Sequence, residues 1–253
     1  MPTNPPPSTL TVAAHFTGPP TSGNGGYVAG RLAAYLPEAA GVQVTLRQPP
    51  LLETPLQVVR EGAAARLTFG GALVAEAVAV RRDLEAVEPV PFAVAEKAAA
   101  RYRGWARHPF PGCFVCGPQR PAPDGLGIRP GPVAGRAGQT AAAWRPAAGL
   151  GSDRGEGSGA PVPPEMVWSA LDCPGGWTVD LAGRPAVLGR MTAAVDALPD
   201  PGDECVVVGR LLGAEGRKSY TATTLYDGDG RVLARAHAVW ITIDSAAGQA
   251  ADG

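Results

Sequence analysis

Residues 163–177, PPEMVWSALDCPGGW, decide how the rest of the chain must be arranged. Pro164 suits a first helical turn, Glu165 and Met166 continue it, and Pro174, Gly175 and Gly176 are expected to end it, so the spacing predicts about ten helical residues. At 3.6 residues per turn Glu165, Ser169 and Asp172 share one side, while Met166, Val167, Ala170 and Leu171 supply an apolar remainder. A helix this apolar must be mostly covered. A carboxylate on it is then either a partnered structural group or a tuned reactive one.

Outward from this helix the period changes to two. Strands are expected at Leu126 to Ile128 and Gln139 to Trp144 before it, and at Val187 to Val195, Glu204 to Leu211, Lys218 to Tyr226 and Arg231 to Ile243 after it. The first ninety residues run in the same order: a strand at Leu10 to Phe16, a helix at Tyr27 to Leu36 closed by Pro37, then strands at Val42 to Leu46, Leu56 to Arg60, Ala64 to Phe69 and Leu73 to Arg81. The turns match too, ALPDPGD at 197–203 against PPLLETP at 49–55, and DGDG at 227–230 against Gly70 and Gly71. The helix starts Gly25 and Pro164 lie 139 positions apart and the strand residues Thr45 and Thr192 lie 147 apart, so the copies differ by one modest insertion. Each copy alone would expose a wide face of strands; pairing them covers both helices.

Composition narrows the partners. A chain of 253 residues with 22 basic and 23 acidic side chains has a formal net charge of −1, which gives nucleic acid no basic face. The N-terminus has no secretory pattern and no stretch approaches a membrane span, so the expected location is the cytoplasm with no membrane partner. Four cysteines in such a chain are not a disulfide scaffold. Residues 1 to about 9 read as a Pro-rich lead-in, and the chain from about Ser245 as a tail. The Gly-, Ser- and Pro-rich stretch 146–162 reads as a flexible loop that either covers a cleft or is disordered excess, for which its composition suffices.

Three segments carry a resemblance: NGGYVAGRLAAYL at 24–36, CFVCGPQRPAPDGLGI at 113–128 and the helix at 163–177. Together they resemble tandem double hotdog proteins of the acyl-CoA thioesterase-like superfamily, over about 10–96 and 108–243. The resemblance implies an α+β fold of two antiparallel sheets, each wrapped around a central helix. The expected units are an N-terminal hotdog at 10–96, a linker at 97–112 and a C-terminal hotdog at 113–245, in a monomeric pseudo-dimer or a homo-oligomer. It also implies an acyl-CoA or other acyl-thioester substrate and no cofactor. In the family pattern a His-Gly-Gly opens the helix and an Asp follows seven residues after the second Gly. Here Asn24, Gly25 and Gly26 keep the glycine turn but Ala33 stands at the acid position, whereas Pro163, Pro164 and Glu165 lose the turn and Asp172 keeps the acid. In a hotdog pair one unit's helix start faces the other unit's acid, so one composite cleft survives.

For such a cleft the Gly26 N–H is the first candidate oxyanion donor, with the Asn24 amide as an alternative donor or a helix cap. Asp172 is the candidate general base or nucleophile. Ser169 either orients the same water or is a small packed residue, and Glu165 is a rival acid whose first-turn position also suits helix stabilisation. On the substrate side Arg217, Lys218 and Arg190 are candidates for coenzyme A contacts, weighed against ordinary solvated surface. Tyr27, Trp168 and Trp177 suit an acyl pocket or a core. Cys113, Cys116 and His108 resemble half a zinc site that Asp124 or Cys173 could complete, but without a second tight ligand pair the preferred reading is a packed loop with no metal, Phe110 and Phe114 turned into the core. Hydration of an acyl thioester, or acyl-thioester binding without catalysis, are the competing functions.

Overall fold

The computed structural model describes residues 8–81, 83–120, 123–150 and 160–243. The Pro-rich lead-in, the tail from Ser245 and the middle of the 146–162 loop lie outside them. In chain order the elements are β1 (Thr9–Leu10), α1 (Gly25–Ala33), β2 (Gly41–Leu46), β3 (Leu56–Glu61), β4 (Ala64–Phe69), β5 (Ala72–Val80), α2 (Phe92–Ala99), β6 (Gly131–Pro132), β7 (Gln139–Trp144), α3 (Pro164–Gly176), β8 (Ala186–Val195), β9 (Cys205–Glu215), β10 (Lys218–Tyr226) and β11 (Val232–Thr242).

Alternation of apolar residues turns one face of these strands inward, and the β4–β5 hairpin closes through Gly70 and Gly71, at φ 56° and 83°. That conformation is open to glycine and is what a two-residue hairpin demands. The strands form one antiparallel sheet of eleven, in the order β1-β3-β4-β5-β2-β8-β11-β10-β9-β7-β6. This corrects the expectation of two sheets. β2 and β8 pair directly, with Val42, Gln43, Val44 and Thr45 opposite Ala193, Thr192, Met191 and Arg190. Two separate sheets would each leave an unpaired row of backbone N–H and C=O groups at this position, and joining them satisfies both rows. On either side of the junction the strand order mirrors itself. Val44 faces Met191, and their numbers differ by the same 147 that relates Thr45 to Thr192.

Helices α1 and α3 pack on each other and on one face of the sheet, in a continuous core that includes Leu32, Val44, Phe114, Leu171, Met191 and Leu225. The approach is close because glycines face it: a Cβ on Gly26 would lie 2.7 Å from Asp172 Cβ and Trp168 O, and one on Gly30 would lie 2.7 Å from Glu165 Cα. Helix α2 packs on β6, β7 and β9. Its cluster takes Ala141, Val206 and Val208, whereas the main core takes Ala142 and Val207 from the same strands. By the two-residue period α2 therefore covers the opposite face.

Three local expectations change. α3 continues through Pro174 to Gly176. Pro174 forfeits only the bond to Ala170 O, while its own carbonyl accepts the Thr140 hydroxyl at 2.7 Å. Gly175 and Gly176 extend the helix because their missing side chains let it lie against Thr221 and Trp240. Of Leu10 to Phe16 only the start joins the sheet, and Ala14–Phe16 is a 3-10 turn. Leu126 to Ile128 is not a strand; Leu126 and Ile128 donate backbone bonds to Phe114 and Val115 across the positive-φ Gly127.

Candidate active site

Helix α1 begins where its sequence has a capping side chain and two glycines. Asn24 Oδ1 accepts from the Tyr27 N–H at 2.9 Å, and Asn24 O accepts from Val28. The same Asn24 side chain turns its amide to the other helix: Nδ2 donates to Asp172 Oδ2 at 3.0 Å, and the Gly26 N–H donates to that oxygen at 3.1 Å. The chain thus brings Asn24, Gly26 and Asp172 together across the two halves. The carboxylate sits at the positive end of α1 and takes one of its backbone N–H donors together with the side-chain amide of its cap. With Gly26 engaged, Gly25 N–H is the N-terminal donor of α1 that no described hydrogen bond uses.

Asp172 is 2% exposed, and its Oδ1 has no hydrogen-bond partner. Burial pushes its carboxyl up to about 7, against the opposing pull of the Gly26 N–H and Asn24. One oxygen is therefore fixed and the other is free. Asp172 lines a cavity of about 400 Å³, together with Asn24, Gly25, Leu188, Trp177 and Trp240. The walls come from the start of α1, the end of α3, β2, β8, β11 and the loop at 108–116, so the cavity belongs to both halves of the chain.

Ser169 is fully buried, and its hydroxyl donates to Glu165 O one turn back at 2.7 Å; it is not among the cavity-lining residues. Glu165 is buried two turns from Asp172 on α3 and also lies outside the lining. Arg190 is exposed on β8 and donates through Nε to Thr45 Oγ1 at 3.2 Å. Arg217 and Lys218 are exposed at the β9–β10 turn. Neither lines the cavity, although Lys218 is paired in the sheet with Ile241, which does. Of the expected aromatics Trp177 lines the cavity, whereas Tyr27 stacks on Phe16 at 3.8 Å and Trp168 packs against Gly30.

Two lining residues were not anticipated in that role. Arg47, at the end of β2, is a cation in the cavity wall, paired with Glu76; nothing in its strand pattern distinguishes it from an ordinary edge arginine. His108 lines the cavity as well, from a loop whose path the sequence leaves open. Its ring is committed: Nδ1 accepts the Phe110 N–H at 2.9 Å, which leaves the proton on Nε2, and Nε2 lies 3.3 Å from Cys116 Sγ. Burial lowers its pKa to about 4. The cysteines at 113 and 116 are joined by Cys173, while Asp124 stays outside with Arg120 and His15. Hydrogen bonds from Cys116 and Cys173 lower the Cys113 thiol, while burial raises Cys116, and the bond to Cys113 raises Cys173.

No protein-family model and no curated protein matches this chain. Solved structures do. A tesB protein from Mycobacterium avium subs paratuberculosis superposes with a TM-score of 0.59 at 11% identity, covering 93% of this chain and 92% of its own. A conserved hotdog-fold protein of unknown function from Alicyclobacillus acidocaldarius does so at 0.57 and 17%, with the same 93% and 92% coverage. An acyl-CoA thioesterase II, TesB2, from Mycobacterium marinum does so at 0.53 and 12%, again over 93% and 92%. The likeness is one of fold: this chain has a hotdog-like α+β fold along nearly its whole length. None of the described helices is long and apolar enough to cross a membrane.

Proposed function

We propose that this chain is a tandem double hotdog acyl-thioester hydrolase with a single composite cleft. The observation that carries the reading is Asp172, a lining residue of a mostly apolar cavity: Asn24 and Gly26 fix one carboxylate oxygen, and the other is buried without a partner. In the proposed step Asp172 Oδ1 takes a proton from water as the water oxygen bonds to the thioester carbonyl carbon. Negative charge on the carbonyl oxygen is met by the Gly25 N–H at the start of α1. Collapse re-forms the carbonyl, breaks the carbon–sulfur bond and returns the proton to the leaving thiolate. Gly26 and Asn24 act as positioning residues, since their donors hold the base. Direct attack by the carboxylate is the variant of this route in which Asp172 is a nucleophile.

Among the solved structures of similar fold, the acyl-CoA thioesterase II from Mycobacterium marinum supports the class of reaction. The hydratase reading gains from His108 in the same cavity, but both of its ring nitrogens are already engaged. The test is hydrolysis of acyl-CoAs of graded chain length, read by free-thiol release, for the native chain and Asp172→Asn. Turnover lost in the variant with acyl-CoA binding retained is the expected result. Binding without turnover by the native chain across the panel overturns hydrolysis in favour of a binding protein.

A further inference from the structure

Three of the four cysteines meet, although only two are neighbours in sequence. Cys113 and Cys116 lie on the loop between the halves, and Cys173 is on α3. Their sulfurs all lie within 4.8 Å of one another, Cys113 being 3.8 Å from Cys116 and 4.0 Å from Cys173. With zinc–sulfur bonds of about 2.3 Å, two thiolates of a tetrahedral zinc site stand about 3.8 Å apart. The two edges that meet at Cys113 therefore already match such a site, and the third lies within 4.8 Å, whereas a disulfide requires its sulfurs at about 2.05 Å. All three thiols are buried, and all three face the cavity. Cys205 is buried elsewhere, outside the cluster.

The surroundings are built for thiolates. The Gly117 N–H closes the loop onto Cys113 O at 2.9 Å, and a Cβ on Gly117 would lie 2.4 to 2.6 Å from Pro111 O and the Cys113 backbone. Only a glycine allows so tight a C-x-x-C-G turn here. His108 Nε2 faces Cys116 Sγ at 3.3 Å as a donor, and Asn24 Nδ2 is 4.0 Å from Cys113 Sγ. Arg129, bonded to Gly117 O at 3.0 Å, places a permanent cation beside the loop. Three thiolates with one divalent ion carry a net charge of −1, which these donors and the arginine offset.

We infer that Cys113, Cys116 and Cys173 together bind one thiophilic divalent cation of the zinc class in the wall of the cavity. Each thiol gives up its proton on binding, and the ion ties the inter-half loop to the end of α3, one residue from Asp172. Its fourth position is left to a ligand from the cavity. This inference does not depend on thioester hydrolysis, and its test reads metal rather than turnover.

Protein prepared under reducing conditions without chelator should contain about one equivalent of zinc per chain by plasma emission. Cys116→Ser and Cys173→Ser should each lose it, and Cys205→Ser should keep it. Because a cysteine variant can fail to fold, the native chain carries the decisive arm: stripped under reducing conditions and titrated with Co2+, it should develop thiolate-to-cobalt charge-transfer absorption that zinc abolishes. Absence of that absorption at excess Co2+ overturns the proposal. So does full zinc retention in folded Cys116→Ser or Cys173→Ser, or a disulfide between two of the three cysteines in the native protein by mass spectrometry.

Discussion

The two buried helices start in opposite ways although they occupy equivalent places. At the start of α1 an asparagine caps, two glycines follow, and a carboxylate from the other half is bound by the N-terminal donors. At the start of α3 the cap position is Pro163, with no side-chain cap bond, and Pro164 has no N–H to give. Where α1 meets Asp172, the equivalent residue opposite α3 is Ala33, a buried methyl group. The contacts keep the symmetry that the chemistry has lost. Gly26 lies against Ser169 and Gly30 against Glu165, and both pairs follow from the 139-residue offset between the helices. Two copies of one packing arrangement thus carry one polar cluster. In a dimer of identical chains each residue is used twice, whereas a fused pair lets each half drop what the other keeps.

The two helix starts differ most in what Asp172 contributes. Asp172→Asn should lower turnover by about 10²- to 10⁴-fold, the usual worth of a general base, with acyl-CoA binding retained by calorimetry. An unchanged rate would remove the distinction between the two starts. The same titration on the native chain should give about one acyl-CoA equivalent, since an isologous pair would offer two like sites; two equivalent sites per chain would mean that the α3 start works as well.

The packing symmetry has its own test. Gly26→Ala and Gly30→Ala each force a Cβ to within 2.7 Å of the other helix. Both should destabilise by about 1–3 kcal/mol in denaturant unfolding, the usual cost of overpacking. Gly26→Ala alone should also impair turnover, because only that glycine holds the acid. Asn24→Ala removes a cap and one of two bonds to Asp172, and should cost about 1 kcal/mol of stability. Ser169→Ala, whose hydroxyl bonds only within α3, should leave kcat unchanged. The smallest effect belongs to the exposed β9–β10 turn: Arg217→Ala with Lys218→Ala should raise KM by less than about 1 kcal/mol, a few-fold at most, and the change should fade at high salt.

Part of this was legible in the chain itself. The glycine turn at 24–26 opens one of two similar helices and the acid at 172 lies near the end of the other, and the strand periodicity and both offsets can be counted. Other features depend on what lies across from each residue. Pro174 reads as a helix end because the sequence does not show Thr140 waiting for its carbonyl or the sheet against which Gly175 and Gly176 must lie. Gly26 reads as a free donor because a helix start alone does not reveal that the opposing carboxylate has taken it. The C-x-x-C at 113–116 reads as half a site because its third thiol lies 57 positions beyond Cys116.

By itself, then, the sequence determined the local terms: the amphipathic period of each strand and helix, the glycine hairpins, the repeated order of elements, and which of the two helices carries a carboxylate. The tertiary structure decided the rest. It merged the halves into one sheet through β2 and β8, because paired strand edges are lower in free energy than open ones. It set Asn24, Gly26 and Asp172 within hydrogen-bond reach, and brought Cys173 to Cys113 and Cys116. Those contacts are long-range, and they form only when two buried helices cross closely enough for glycine to be required on one of them.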